Sequence, residues 1–411
     1  MPVATSVSTG ASDTTQIQRR RVGWSAFLGT TIEYYDFTLY GLMGPIVFGK
    51  LFFPQSDPTT AQIAVLAIYA VGFFGRPLGG LVFSHYGDRL GRKPMIISMS
   101  VMGLASTLMG LLPSYASIGI WAPIILGLAR VIQGFSLGGE YGTSATYLTE
   151  VADQRHRGFY SSFQYVTLIG GQLCALVVLL VLQNVFLTND EIRQWGWRIP
   201  FFIGAGLAVV AGVMRRNLQE TEAFEAAKKV AKRTSSLRAL MKYPREVLLV
   251  VGLTAGGTAA FYTYTTYMQK FLKLSVGLTD HQTTMVTAGT LIFAMFLQPI
   301  YGAISDHIGR KWLLIGFGVC GVLFTVPLLT GLQAANGPLQ AFLLIAAAWM
   351  IVSGYTSINA VVKAELFPTS VRATGVGLPY ALTVSIFGGS VEKVVRKPEA
   401  SVIVCSAVVT V

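Results

Sequence analysis

The chain has 411 residues, 53% of them hydrophobic and 12% charged, with a mean hydropathy of +0.58 and a formal net charge of +12. A soluble domain usually carries about twice that charged fraction, so a single large water-soluble core is excluded. Nucleic acid is excluded as the reason for the basic excess, because the lysines and arginines sit in short turns between apolar runs, where membrane proteins place them.

Residues 1–21 are polar and end in Arg19, Arg20 and Arg21. The run that follows is too long for the apolar core of a cleavable signal. Eleven apolar segments then succeed one another, at about 22–48, 61–83, 95–112, 122–147, 159–182 and 195–214, and, after a polar stretch, 247–268, 283–304, 312–332, 339–362 and 373–388. Backbone amides in lipid need internal partners and barrel strands are short and alternating, so these segments are expected to be membrane-spanning helices.

The first segment carries Glu33 and Asp36 in IEYYDF, three apart on one helical face. It ends in GPIVFGKL, which fits a phosphate-loop spacing, but Leu51 stands where a magnesium-binding hydroxyl belongs and no strand precedes it. No nucleotide site is expected. The second segment holds Arg76, and the turn after it reads GDRLGRK, with Asp88, Arg89 and Arg92. The fourth holds Arg130 and Glu140, ten apart and so within about a turn of one face. Its GGEYGTSATY is rich in small residues that favour close helix packing. Glu150 and Arg157 follow in EVADQRHRG, and Arg198 lies near the outer end of the sixth segment.

The seventh segment contains FYTYTTYM, whose Tyr262, Tyr264 and Tyr267 offer either hydroxyls for a ligand or an interfacial aromatic belt. The turn after the eighth, SDHIGRK with Asp306 and Arg310, nearly copies the one after the second; Glu365 and Arg372 follow the tenth. Cys174, Cys320 and Cys405 match no metal or disulfide spacing, and no nucleophile–base set suggests an enzyme.

Twenty-one lysines and arginines, Lys363 among them, fall on one side of these segments and four on the other. That asymmetry predicts a cytoplasmic N-terminus and a cytoplasmic central loop. The two turns lie 218 residues apart, and the Glu150/Arg157 and Glu365/Arg372 pairs lie 215 apart. Two motifs at nearly one offset indicate a duplicated six-helix unit. The expected layout is a tail at 1–21, a six-helix half at 22–214, a linker at 215–245, a second half at 246–390 and an atypical tail at 391–411.

Parallel repeats of six helices characterise the major facilitator architecture, an all-α fold with its substrate site between the halves near mid-membrane. In that arrangement Asp88, Arg89, Arg92, Glu150, Arg157, Asp306, Arg310, Glu365 and Arg372 would form a cytoplasmic gate, the turn charges pairing with neighbours such as Glu150 and Arg157. Gly87, Gly91 and Gly309 would let the turns be tight. Ionisable groups inside spans are costly and usually functional. Arginine binds carboxylates in a bidentate fashion, and a buried carboxyl can carry a proton. Arg76 and Arg130 are therefore candidate substrate ligands, and Glu33, Asp36 and Glu140 candidate proton carriers. Purely structural ion pairing is the alternative for any one of them.

The motifs IEYYDF, GFFGRPLGG, GDRLGRK, ARVIQGFSLGGEYG, WGWRIPF and ETEAF resemble the metabolite:proton symporter family of the major facilitator superfamily. The resemblance runs from about residue 20 to 390. Stretches such as FYTYTTYMQKFL and YTSINAVVKAELFP look like the family's 2-oxoglutarate carriers. This implies proton-coupled uptake of 2-oxoglutarate or a similar dicarboxylate at a bacterial inner membrane, by a monomer needing no cofactor or metal. Symport of betaine, proline, citrate or shikimate is the alternative within the family. In one respect the turn departs from the superfamily pattern: glycine usually stands four residues before its aspartate, as Gly302 does, but Ser84 does not, which predicts looser packing there. After Ser390 the chain reads VEKVVRKPEASVIVCSAVVTV, whose last apolar run is too short to cross a bilayer. A frame change or truncation, with an inactive carrier as its consequence, is the expectation this raises.

Overall fold

The computed structural model describes residues 28–90, 93–216 and 240–395. Among the described residues the chain is helical throughout, without strands. Helix α1 occupies residues 28–43 and runs on through a π-helical turn, Gly44–Phe48, into Gly49–Phe52. The rest of the first half comprises α2 (Pro58–Leu90), α3 (Lys93–Leu111), α4 (Trp121–Val151), α5 (Arg157–Val181) and α6 (Arg198–Arg216). In the second half α7 (Pro244–Tyr262) continues through the π-turn Thr263–Tyr267 into Met268–Leu274. Then come α8 (Asp280–Ile308), α9 (Arg310–Gln333), α10 (Pro338–Thr356) with its continuation Asn359–Glu365, and α11 (Arg372–Val395).

Within the described residues each apolar segment is thus helical, and most helices reach a few residues past the apolar run, because the helix keeps its backbone bonds as it leaves the hydrocarbon. Among the described residues, eight helical runs, those of α2 and α4 to α10, are long and apolar enough to span a membrane by themselves; α3 has a shorter apolar stretch, Ile96–Leu111. Local chemistry sets the starts. Asp57 accepts hydrogen bonds from the amides of Thr59 and Thr60 at 3.0 and 3.1 Å ahead of α2. Thr60, by its hydroxyl and then its amide, holds this exposed carboxyl below the usual carboxylate range. Thr279 and Gln282 form a reciprocal capping box at α8. Pro244 and Pro338 begin α7 and α10, where their missing N–H is harmless. The expected tail at 1–21, residues 396–411 of the tail expected at 391–411, and most of the linker lie outside the described residues, and α11 runs into that second tail as far as Val395.

Within the first half α2 packs on α4 and α3 on α6; within the second, α10 packs on α8 and α9. Between the halves the main contacts are α2 on α11 and α5 on α8. A shift of six helices turns α2 into α8 and α5 into α11, so the two seams are counterparts in a pseudo-two-fold arrangement. Each is close. A Cβ on Gly302 of α8 would sit 2.7 Å from the Gly158 carbonyl oxygen of α5. In the other seam Ser84 is fully buried, and a Cβ on Gly142 would lie 2.8 Å from its hydroxyl and 2.7 Å from Gly377 Cα. The serine therefore does not loosen the seam as expected, because two glycines face it. Gly309, at φ 90°, makes the one-residue turn between α8 and α9. Gly87 instead lies inside α2, and Gly91 is outside the described residues.

The α2–α4 contact places backbone on backbone. A Cβ on Gly134 would overlap the Gly72 carbonyl, and one on Gly138 the Arg76 carbonyl. Gly134→Leu is expected to lower the thermal unfolding midpoint of the detergent-solubilised protein sharply. Gly127→Leu, on the same helix with nothing within 4 Å of its Cβ position, should leave the midpoint near the unaltered value.

Candidate functional site

Five of the buried charged side chains come from the first half: Glu33, Asp36, Arg76, Arg130 and Glu140. Each carboxylate meets a serine hydroxyl: Ser136 Oγ lies 3.1 Å from Glu33 Oε1, Ser98 Oγ donates to Glu140 Oε2 at 3.3 Å, and Ser106 Oγ donates to Asp36. Ser136 Oγ is also 2.7 Å from the Ser98 carbonyl oxygen. A hydroxyl has one proton to give. Both contacts are satisfied when Ser136 donates to the carbonyl and a protonated Glu33 donates to Ser136.

Both arginines are almost wholly buried, at 2% and 0% exposure. Arg76 Nη1 donates to the Tyr262 hydroxyl at 3.1 Å, and its guanidinium lies 4.4 and 4.3 Å from the Phe37 and Phe73 ring centres. Arg130 Nη1 donates to Gln133 at 2.6 Å, and its guanidinium lies 4.5 and 4.3 Å from the Phe37 and Tyr40 rings. The two cations thus share Phe37. In each, Nε and Nη2 have no hydrogen-bond partner. Leaving such donors unpaired inside the protein costs on the order of 1–3 kcal/mol each, which an anion with two oxygens would offset.

A narrow cavity lies between the halves, with room for about one water molecule. Glu33, Tyr34, Arg76 and Tyr141 line it from the first half and Tyr380 from the second. The structure therefore brings Glu33, Arg76 and Tyr262 together. Asp36 lies apart, beside Ser106 and against Gly204, and Arg130 and Glu140 are not among the cavity's lining residues. Tyr264 is buried in the core of the second half, and Tyr267 is half-buried beside Phe271. The three tyrosines cannot share a face, since residues two apart on a helix point to opposite sides.

The wall of the cavity explains a proline. Pro77 has no N–H for the Phe73 carbonyl one turn back. Ser385 Oγ of α11 lies 2.6 Å from that carbonyl across the seam, and 2.7 Å from the Ala381 carbonyl of its own helix, so its one proton can serve either. Below Arg76, Tyr141 and Tyr380 stack with centroids 3.4 Å apart and planes 8° from parallel. Asn359 donates to the Tyr141 hydroxyl at 2.9 Å, again joining the halves.

At the end of the bundle that carries the charged turns, the halves are latched. Asp306 of α8 accepts the Gly158 and Phe159 amides at 2.8 and 2.9 Å, capping the start of α5. Arg310 pairs with Asp306 at 3.1 Å and with Glu365 at 3.8 Å. Arg372 pairs with Glu150 at 3.0 Å. Glu150 therefore reaches across the seam, and Arg157 begins α5 half-buried. The side chains of Asp88 and Arg89, and the whole of Arg92, lie outside the described residues.

Lys363 corrects the reading of the loop charges. Counted there as a turn cation, it is fully buried, on the helix Asn359–Glu365. Removing it leaves the charge asymmetry intact. Neither the lysine, the three serines nor the tyrosine stack carried a sequence signal of its own.

The sequence profile of the "Sugar (and other) transporter" family matches residues 22–237 and 211–387. An alpha-ketoglutarate permease of Escherichia coli K12 is 46% identical over 396 residues, covering 95% of this chain and 91% of that protein. A citrate-proton symporter of Klebsiella pneumoniae is 33% identical over 367 residues, covering 88% of this chain and 81% of its own. Among solved structures, the proton:xylose symporter XylE bound to 6-bromo-6-deoxy-D-glucose superposes with a TM-score of 0.76 at 16% identity, over 96% of this chain and 94% of that one.

Proposed function

The chain belongs to the sugar (and other) transporter family of the major facilitator superfamily, as a multi-pass membrane carrier, and from that premise we propose that it takes up 2-oxoglutarate or a similar short dicarboxylate together with protons. The observation that carries this reading is Arg76: a buried guanidinium with two unpartnered nitrogens, on a cavity between the halves, beside a carboxyl. Such a donor set suits a carboxylate substrate. The similarity to an alpha-ketoglutarate permease and to a citrate-proton symporter favours the same substrate class and coupling ion.

In this reading Arg76, with Tyr262 beside it, is the first substrate ligand, and Arg130 serves as a second cation behind Phe37. Glu33 is the proton carrier, since it lines the cavity and its contact with Ser136 fits a protonated acid. Asp36 and Glu140 hold α1 and α4 to the serines of α3. The latch of Asp306, Arg310, Glu150, Glu365 and Arg372 closes the cytoplasmic side while the cavity is reached from outside, and parts when the halves rock. The N-terminus is cytoplasmic, and one chain acts alone, without nucleotide, metal or catalysis.

The test is uptake of radiolabelled 2-oxoglutarate by cells expressing the chain, with and without a protonophore, and with membrane insertion verified by blot. Protonophore-sensitive uptake is expected. Well-inserted protein that takes up betaine or proline, but no dicarboxylate, would overturn the substrate reading.

A further inference from the structure

We propose that Lys363 is the second half's anchor for a dicarboxylate substrate, gripping one carboxylate while Arg76 of the first half grips the other. The inference rests on the carrier reading above and extends it to a residue outside the charged motifs. Lys363 is 0% exposed, and its Nζ has no hydrogen-bond partner. Its neighbours are aromatic: the Tyr380, Tyr141 and Tyr355 ring centres lie 4.5, 5.6 and 5.7 Å from the nitrogen. Ring faces recover only part of what an ammonium loses on leaving water. A lysine serving as a topological anchor would instead extend its stem to the interface. An unpaired buried cation fits a site that an anion visits.

Its placement says which anion. Two of its three rings, Tyr141 and Tyr380, also line the cavity that holds Arg76. These rings, stacked one leaf from each half, adjoin both the cavity and Lys363. When the halves part at the latched end, the leaves separate and Lys363 meets the cavity. A dianion then bridges Arg76 and Lys363, whereas a monocarboxylate leaves one of them buried and unpaired. Preference for two carboxylates over one follows from that difference.

The test uses purified full-length protein in nanodiscs, with binding of 2-oxoglutarate and of pyruvate measured for the unaltered chain, Lys363→Met, Lys363→Gln and Lys363→Arg. Lys363→Met is expected to unfold at or above the unaltered midpoint, because it removes a buried charge, while its Kd for 2-oxoglutarate rises about 10–100-fold. Pyruvate binding should change little, and Lys363→Arg should recover part of the loss. A lower midpoint with unchanged 2-oxoglutarate affinity, in either neutral variant, would mark a structural lysine and overturn the assignment alone. Failure of the unaltered chain to bind any dicarboxylate would overturn the carrier reading along with it.

Discussion

Arg76→Ala is expected to reach the membrane and to take up 2-oxoglutarate at no more than about a hundredth of the unaltered rate. Two charge-assisted hydrogen bonds to a carboxylate are worth about 1.5–3 kcal/mol each, and each 1.4 kcal/mol is tenfold. The same change orphans the Tyr262 hydroxyl, which now accepts from Nη1 at 3.1 Å. Arg76→Lys should restore little. A lysine offers a compact point charge, not the planar fork that grips a carboxylate through two parallel hydrogen bonds. The measurement is initial uptake normalised to membrane-inserted protein. Near-normal uptake by Arg76→Ala would remove this arginine from the substrate site.

Glu33→Gln separates binding from coupling. The amide keeps the size of a protonated glutamic acid and can still donate to Ser136, which lies 3.1 Å from Oε1. It cannot release a proton. Accumulation against a gradient should therefore vanish, while exchange of labelled for unlabelled 2-oxoglutarate persists within a few-fold. The pH dependence of exchange should flatten as well, because the titrating group is gone. If Glu33→Gln still concentrated substrate under a proton gradient, the proton would travel on another group.

Much of this molecule was legible in its residues. Hydrophobic runs of about twenty residues announce helices because lipid offers the backbone no other partner. The copied turns announce the repeat, and the seams α2–α11 and α5–α8 bear it out. The intramembrane charges were legible as a set, since they are rare and conspicuous. Their partners were not. Ser98, Ser106 and Ser136 look like ordinary small residues of a packed helix, and only the rotation of α3 and α4 about their axes turns them towards carboxylates. The contact of Glu150 with Arg372 across the seam follows from the pseudo-two-fold and not from spacing along the chain. Lys363, two residues before an ELFP turn, reads in the sequence as an interfacial cation, whereas the break after Thr356 keeps the next helix inside the protein. In FYTYTTYM, local spacing already separated the three tyrosines, and only Tyr262 meets Arg76.

The fully buried charges include three carboxylates, Glu33, Asp36 and Glu140, and three cations, Arg76, Arg130 and Lys363. Fully ionised, this group is electrically neutral, and all but Lys363 ride on one half. Halves rocking as proposed would therefore move no more than about one net charge of this group, according to the protonation of Glu33, through the field of the bilayer, where each elementary charge is worth about 2.3 kcal/mol per 100 mV. The membrane potential is left to act on the cargo. Under the proposed symport, a dianion entering with two protons would cross without electrical work, and any further proton would make the resting potential itself a driving force.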